Sequence, residues 1–346
     1  MKPILKPANP VWKLAAELAQ KIPAQLPDLN TYPVQEEVLP GQWPPYHRPK
    51  GHWRCLYQWE SWGCLATKGG ESHSPYFETM LDIMERQWMK FRYGFDEQPQ
   101  TVRLSVLERF LVLENKFPGA LRLQEALEEA NLAADFQLAH LERYGELARV
   151  PLPLVVHQIP DDVAADLAER LCRRVPQRQH SRVQALLPLG VLVYWYPTLP
   201  ERVSHLRLPE GPWLEQLAAL LDPKQLVESW AELLTRCLLL GWVPCDPCSS
   251  LQGMCLEAQN LTLDGGMVDL DSLRRLESFR DPRPAVERCF QILAASICHL
   301  LTGKPGPGLV GPLRQQVLSR CHQSEYQVLR QMAGEDVYTA TLHFLT

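Results

Sequence analysis

The sequence predicts an α+β chain of two lobes, a small mixed lobe carrying a sheet and then a helical lobe. Three observations carry this. Alternating residues in Trp53–Lys68 and apolar runs at 149–157 and 186–196 read as strands. Apolar residues at helical spacing dominate the second half, around 226–237 and 284–302. Between them, Pro197-Thr198-Leu199-Pro200 stops the last apolar run and behaves like a hinge. The expected organisation is a Pro-rich N-terminal arm over 1–50, an N-terminal lobe with a helical insertion over 51–198, and a helical C-terminal lobe over 199–346.

Each element has its own warrant. Val11 to Ile22 reads as one helix, and Pro23 to Lys50 as an extended arm. Trp53, Cys55 and Tyr57 alternate, Ser61-Trp62-Gly63 turns, and Cys64 to Thr67 leads to Lys68-Gly69-Gly70: two antiparallel strands ending on a lysine. That lysine is either a solvated edge charge or a point charge aimed at phosphates. Residues 76–148 read as helical, from Phe77, Met80, Leu81, Met84 and Trp88 through to a last helix near 133–148 that carries Glu142 and Glu146. Residues 149–157 form a strand, Asp161 to Arg173 a helix with Asp161 or Asp162 as cap, and 186–196 the clearest buried strand. Arg173, Arg174, Arg178 and Arg182 read as a solubilising surface. Asp222-Pro223-Lys224-Gln225 opens a helix that stops near Gly241. A helix over 284–302, a loop over 303–311 and further helices from Leu313 complete the chain.

Composition narrows the function classes. A net charge of −5 over 346 residues leaves no footprint for nucleic acid or an acidic membrane, and no run of 18 apolar residues spans a bilayer. The N-terminus does not read as a signal peptide, so the ten cysteines are expected to be mostly reduced core thiols of a cytoplasmic protein. Thirty prolines and ten tryptophans point to rigid turns and an aromatic core. Oligomeric state is left open.

The polar chemistry gathers in residues 253–272. Leu261–Leu263 and Met267–Leu270 read as the strands of a short hairpin, with Asp264-Gly265 as a type I′ turn. Asn260 lies just before the first strand and Asp269 late on the second, so a hairpin brings them together. An amide oxygen and a carboxylate are hard ligands that suit Mg²⁺ on a nucleotide phosphate. Asn and Asp beside turns also cap backbone groups, and that reading stands alongside. Cys245-Asp246-Pro247-Cys248 opens a zinc or redox alternative, for which Cys255 is one further ligand.

Strands ending on a lysine, then helix, two strands, a hinge, a long helix, a polar loop, a hairpin, an Asp and more helices: this order resembles that of a protein-kinase-like fold. Within that superfamily the chain is most similar to the selenoprotein O family of pseudokinases, over roughly residues 60–300. Lys68-Gly69-Gly70-Glu71-Ser72-His73-Ser74-Pro75-Tyr76 resembles the family's lysine-glycine segment, with one extra residue. Gly190-Val191-Leu192-Val193 through Pro197 to Arg202-Val203 resembles its strand and basic motif. Gln259-Asn260-Leu261-Thr262-Leu263 through Asp269 resembles its Asp-Asn segment, with the family's nine-residue spacing from Asn to Asp. The chain departs at Gln259, where the family has Asp, at Tyr194 and Trp195, where it has an Arg, and at the C-terminus, which has no cysteine or selenocysteine. An ordinary protein kinase would place its catalytic Asp where Cys255 stands. A siderophore-synthetase-like ligase is a second resemblance, through a motif joining Glu and Gln-Asn.

The resemblance implies ATP and Mg²⁺ as cofactors and transfer of AMP, or of phosphate, to a hydroxyl of a protein or small molecule. Carried over, Lys68 contacts phosphate and Glu142 positions it, with Glu146 as its rival. Arg202 holds another phosphate, and Asn260 and Asp269 hold Mg²⁺. No residue matches the family's base; Glu257 or Asp271 would serve, and Asp271 reads equally as a helix cap. A transferase is favoured, with a catalytically inactive pseudokinase-like binding protein as the alternative.

Overall fold

A computed structural model of the chain describes residues 4–7, 9–23, 31–34, 46–47, 55–60, 63–70, 72, 77–86, 88–93, 100–198, 202–203, 222–244, 255–257 and 260–302. The first elements are β1 (Ile4–Pro7), β2 (Asn9–Lys13), α1 (Ala16–Ala19), β3 (Thr31–Val34), β4 (Tyr46–His47), β5 (Cys55–Glu60) and β6 (Gly63–Lys68). Next come α2 (Phe77–Arg86), β7 (Trp88–Tyr93), β8 (Gln100–Ser105), α3 (Val106–Val112), β9 (Leu121–Arg122), α4 (Leu123–Tyr144), β10 (Leu152–Gln158), α5 (Asp161–Cys172), α6 (His180–Ala185) and β11 (Leu189–Tyr196). The last are α7 (Pro223–Leu239), β12 (Trp242–Val243), β13 (Arg274–Arg275) and α8 (Arg283–Thr302). The architecture is mixed α+β, and no described helix is long and apolar enough to cross a membrane.

The chain divides into two compact units, residues 1–130 with 153–197, and residues 131–152 with 198–346. The segment Asn131–Leu152 thus groups with the C-terminal residues, which a linear division at 198 does not anticipate.

The first unit is built on a sheet of seven described strands in the order β2-β10-β11-β6-β5-β4, with β9 also paired to β11. β5 and β6 form the antiparallel hairpin that the alternation predicts, and β6 runs antiparallel to β11 with Lys68 opposite Leu192. Every residue of β6 and β11 is buried. Their apolar runs are therefore continuous rather than alternating, as befits strands covered on both faces. Lys68 ends one of these strands, so a charge is carried into an apolar setting.

Four expectations fail here, wholly or in part. Residues 76–148 are not continuously helical: α2 stops at Arg86, and β7 pairs β8 with Trp88 opposite Ser105. Trp88-Met89-Lys90-Phe91-Arg92-Tyr93 has the period-two pattern and the aromatic content of a strand. Val11 to Ile22 gives β2 and a single helical turn, because Trp12 and Lys13 pair with β10 instead. Arg173 and Arg178 are exposed as expected, but Arg174 and Arg182 are more than surface. Arg174 lies 2.7 Å from Asp82 and 3.1 Å from Glu78 on α2, and Arg182 donates to the carbonyls of Leu111 and Val112 at the end of α3. The cap of α5 is Pro160, so neither Asp161 nor Asp162 caps it as expected.

The second unit packs the later part of α4 with α7, the β12–β13 pair and α8. Trp242 is fully buried and meets Phe136 edge-on at 6.0 Å. The buried Gln137 amide donates to the carbonyls of Ala148 and Val150 and accepts from the Ala148 N–H, fastening the segment that follows α4. Described cysteines 64, 172, 237, 255 and 289 are reduced thiols. Cys245, Cys248 and the helices expected beyond residue 312 lie outside the described residues.

Candidate functional site

The first cluster belongs to the first unit. Lys68 Nζ donates to both carboxylate oxygens of Glu129, at 2.7 and 2.8 Å. Lys68 is 9% exposed and Glu129 2%. A lone charge at either place would cost several kcal/mol in lost hydration, so each requires the other. Glu129 comes from α4, in phase with the buried Ala126, Ala130 and Ala133. Gly69 has φ of +91°, and a Cβ there would lie 2.8 Å from the Gly190 carbonyl oxygen and 2.9 Å from the Leu121 nitrogen. Only glycine lets the chain turn away so tightly behind the lysine.

The expected partner of Lys68, Glu142, is corrected to Glu129. Glu142 is not buried, and a buried ammonium needs a carboxylate that is buried with it. Its rival Glu146 is exposed and binds Arg236 at 2.6 Å instead. The clue available in the sequence is an acidic residue inside a stripe of alanines, where a solvated glutamate has no reason to be.

The second cluster belongs to the second unit. The turn after Asn260 is closed by Gly265 N–H donating to Thr262 O at 3.1 Å, with Gly265 at φ +85°. Neither Leu263 nor Asp264 has a positive φ, so the turn, which runs into a left-handed glycine, is not the expected type I′. The two strands shrink to a single bridge, Leu261 with Met267, flanked by Thr262 N–H to Gly266 O and Val268 N–H to Asn260 O. Asp264 fixes the tip by accepting from Thr262 Oγ1 at 2.5 Å and from Thr198 Oγ1 at 2.8 Å. Gly266 runs so close to Arg149 that a Cβ would overlap its carbonyl oxygen.

That register places Asn260 opposite Val268, with Asp269 one residue further on. Arg202 joins them from a different stretch of chain. It bridges to Thr262 antiparallel, Val203 N–H donates to Leu261 O at 2.9 Å, and the buried Arg202 guanidinium makes a long hydrogen bond of 3.4 Å to Asn260 Oδ1. Asp269 has left-handed φ 62° and ψ 67°, which is uncommon for any residue but glycine.

The two candidate bases differ in setting. Glu257 closes the turn before Asn260 with its own carbonyl, which accepts from Asn260 N–H and Leu261 N–H, and its side chain is half-buried. Asp271 lies inside a short 3₁₀ turn, Leu270–Ser272, so it does not cap a following helix: α8 starts only at Arg283. Its carbonyl accepts from Arg274 at 2.7 Å. Cys255 is wholly buried, donates from Sγ to Asp269 O at 3.4 Å, and has its N–H on Ser272 Oγ at 3.0 Å. Burial above all, then the nearby Asp271 and Asp269 carboxylates, pushes its thiol well above the usual range against a lowering contribution from Ser272. It is therefore a neutral S–H and not a base.

Asn260 and Asp269 bring an amide oxygen and a carboxylate, donor types that hard divalent cations take, to positions one register step apart. Among the described residues no group of three or more His, Cys, Asp and Glu is poised to hold a metal by itself. Magnesium typically takes one or two carboxylates and draws its remaining ligands from phosphate and water, which is the set two protein oxygens would leave open. Searches with the chain find no matching family model and no similar curated protein.

Proposed function

We propose that the protein is an ATP- and Mg²⁺-dependent transferase of the kinase-like superfamily, acting on a hydroxyl acceptor. The observation that carries this reading is the buried Lys68–Glu129 pair, a strand lysine held by a helix glutamate. Protein kinases need such a pair to present the lysine to phosphate oxygens. The cluster of Arg202, Asn260 and Asp269 is independent support, since kinases hold their metal with an Asn and, after a hairpin, an Asp.

The roles follow from chemistry. Lys68, held straight by Glu129, supplies positive charge to a phosphate. Asn260 and Asp269 would hold Mg²⁺, which offsets negative charge on the phosphates. Arg202 adds a second cation and orients the Asn260 amide. Glu257 and Asp271 are the two carboxylates available to accept a hydroxyl proton.

A second reading is nucleotide binding without turnover. What favours it is Cys255, a buried neutral thiol at the position where an ordinary kinase has its base. One experiment separates the two. The protein is incubated with ATP labelled on the α or the γ phosphate and with protein and small-molecule acceptors. Movement of the α label identifies AMP transfer, and of the γ label phosphate transfer. Binding with neither label moving supports the inactive reading, and absence of Mg²⁺-dependent binding removes both. Lys68→Met and Asp269→Ala each remove any transfer observed.

A further inference from the structure

Asp269 presents a carboxylate from the left-handed region, which few L residues adopt and Asp adopts more often than most. Such a residue persists only where its surroundings over-determine it, and such residues cluster at functional sites. Three fasteners surround it. Ahead of it, Val268 N–H is tied to Asn260 O at 2.7 Å. Behind it, Leu273 N–H is tied to Leu270 O at 3.0 Å. On the residue itself, the carbonyl accepts the Cys255 S–H. Cys255 is held in turn by Ser272: the backbone N–H donates to Ser272 Oγ at 3.0 Å, and the sulfur lies 3.1 Å from the same oxygen. Both residues are buried, at 0% and 4% exposure. One side chain thus bonds the strained residue, and the other joins the two chain segments that flank the hairpin.

We propose that Cys255 and Ser272 are positioning residues, a buried clasp that holds Asp269 in its left-handed conformation and so aims its carboxylate at a divalent cation. This rests on the cation-binding role proposed above. The clasp also accounts for a cysteine at the position that lacks a catalytic Asp, because its side chain bonds the Asp269 backbone.

Simple core packing is the competing account, and two substitutions separate them. Cys255→Val keeps the site apolar, at slightly larger volume, and loses the donor, whereas Cys255→Ser keeps a donor. The probe is Mn²⁺, titrated by electron paramagnetic resonance into the full chain with ATP present. Residues that orient a metal ligand typically contribute about 10–100-fold to affinity, so Cys255→Val should weaken the Mn²⁺ Kd by at least about tenfold while Cys255→Ser stays within about threefold. Amide exchange of Leu270 and Leu273 in the metal-free chain should quicken in Cys255→Val alone. Should Cys255→Val not fold, Ser272→Ala takes its place, with the same expected loss. An unchanged Kd in Cys255→Val, or an equal loss in Val and Ser, overturns the clasp. If the wild-type chain binds no Mn²⁺, the cation reading fails by itself. The clasp is then judged on exchange alone: quickening in Val but not Ser upholds its hold on the backbone, and unchanged exchange overturns it.

Discussion

Removing the carboxylate of Glu129 tests whether the Lys68 pair stabilises the fold, serves a ligand, or both. Glu129→Ala leaves Lys68 with 9% exposure and without the oxygens that now lie 2.7 and 2.8 Å from its nitrogen. Breaking a buried pair from one side costs about 3–5 kcal/mol, because the remaining charge is stranded. At about 2–4 °C per kcal/mol for a unit of roughly 150–250 residues, the melting temperature should fall by about 10 °C. Removing both charges behaves differently: apolar replacement of a whole buried pair is neutral or stabilising by about 1–4 kcal/mol. The double variant Lys68→Met with Glu129→Leu should therefore melt near the wild-type temperature or above it. If the lysine serves phosphate, the same stable double variant gains nothing from Mg²⁺·ATP. The wild-type chain gains about 2.7 kcal/mol at a ligand concentration of about 100 Kd. Differential scanning fluorimetry with and without Mg²⁺·ATP reads all of these. A full nucleotide shift in the double variant would refute the phosphate role, and a loss under about 1 kcal/mol in Glu129→Ala would refute the stranded-charge argument.

Further outcomes follow from the second unit. Asp269→Gly should melt at or slightly above the wild-type temperature, since glycine relieves about 1 kcal/mol of left-handed strain, yet it should abolish the Mg²⁺-dependent shift; a retained shift removes Asp269 from the cation site. Gly266→Ala forces a Cβ against the Arg149 carbonyl oxygen and should destabilise the protein by about 1–3 kcal/mol in urea melts. His140 is buried among Phe136, Tyr144 and Arg236, with its Nδ1 on the Glu146 carbonyl, and burial lowers its pKa below the ordinary 6.5. The unfolded chain then binds the extra proton first, so this residue's contribution to stability is complete above about pH 6.5 and declines as the pH falls below it. His140→Gln should flatten the urea-melt stability profile between about pH 7 and 5, and an equally steep profile would refute the assignment.

Strands are legible in the sequence wherever their pattern is self-contained. The alternation of Cys55–Thr67 and the apolar run at 189–196 form paired strands at their expected places. The long helices Pro223–Leu239 and Arg283–Thr302 likewise match their stripes of helical period. Legibility fails where one pattern runs into another. The stripe from Phe77 to Met84 runs on in register into Trp88, yet Trp88–Tyr93 has a period-two alternation that belongs to a hairpin. The turn at Asp264-Gly265 is legible, but not that Gly266 runs against Arg149, a residue more than a hundred positions away.

By itself, then, the sequence determined most of the local elements, because propensity and periodicity act over a few residues, and it drew attention to Lys68, Asn260 and Asp269 by their places beside strands and a turn, while Arg202 came from the resemblance alone. Only the tertiary structure decided the partnerships. It chose Glu129 over Glu142 for the lysine, since burial of a charge is a property of the packed molecule. It brought Arg202 to Asn260 across 58 positions, and it turned Cys255 into a fastener for Asp269. Hydrogen bonds reach about 3 Å in space, whatever the separation along the chain, and no pattern of neighbouring residues records which distant atoms fill that distance.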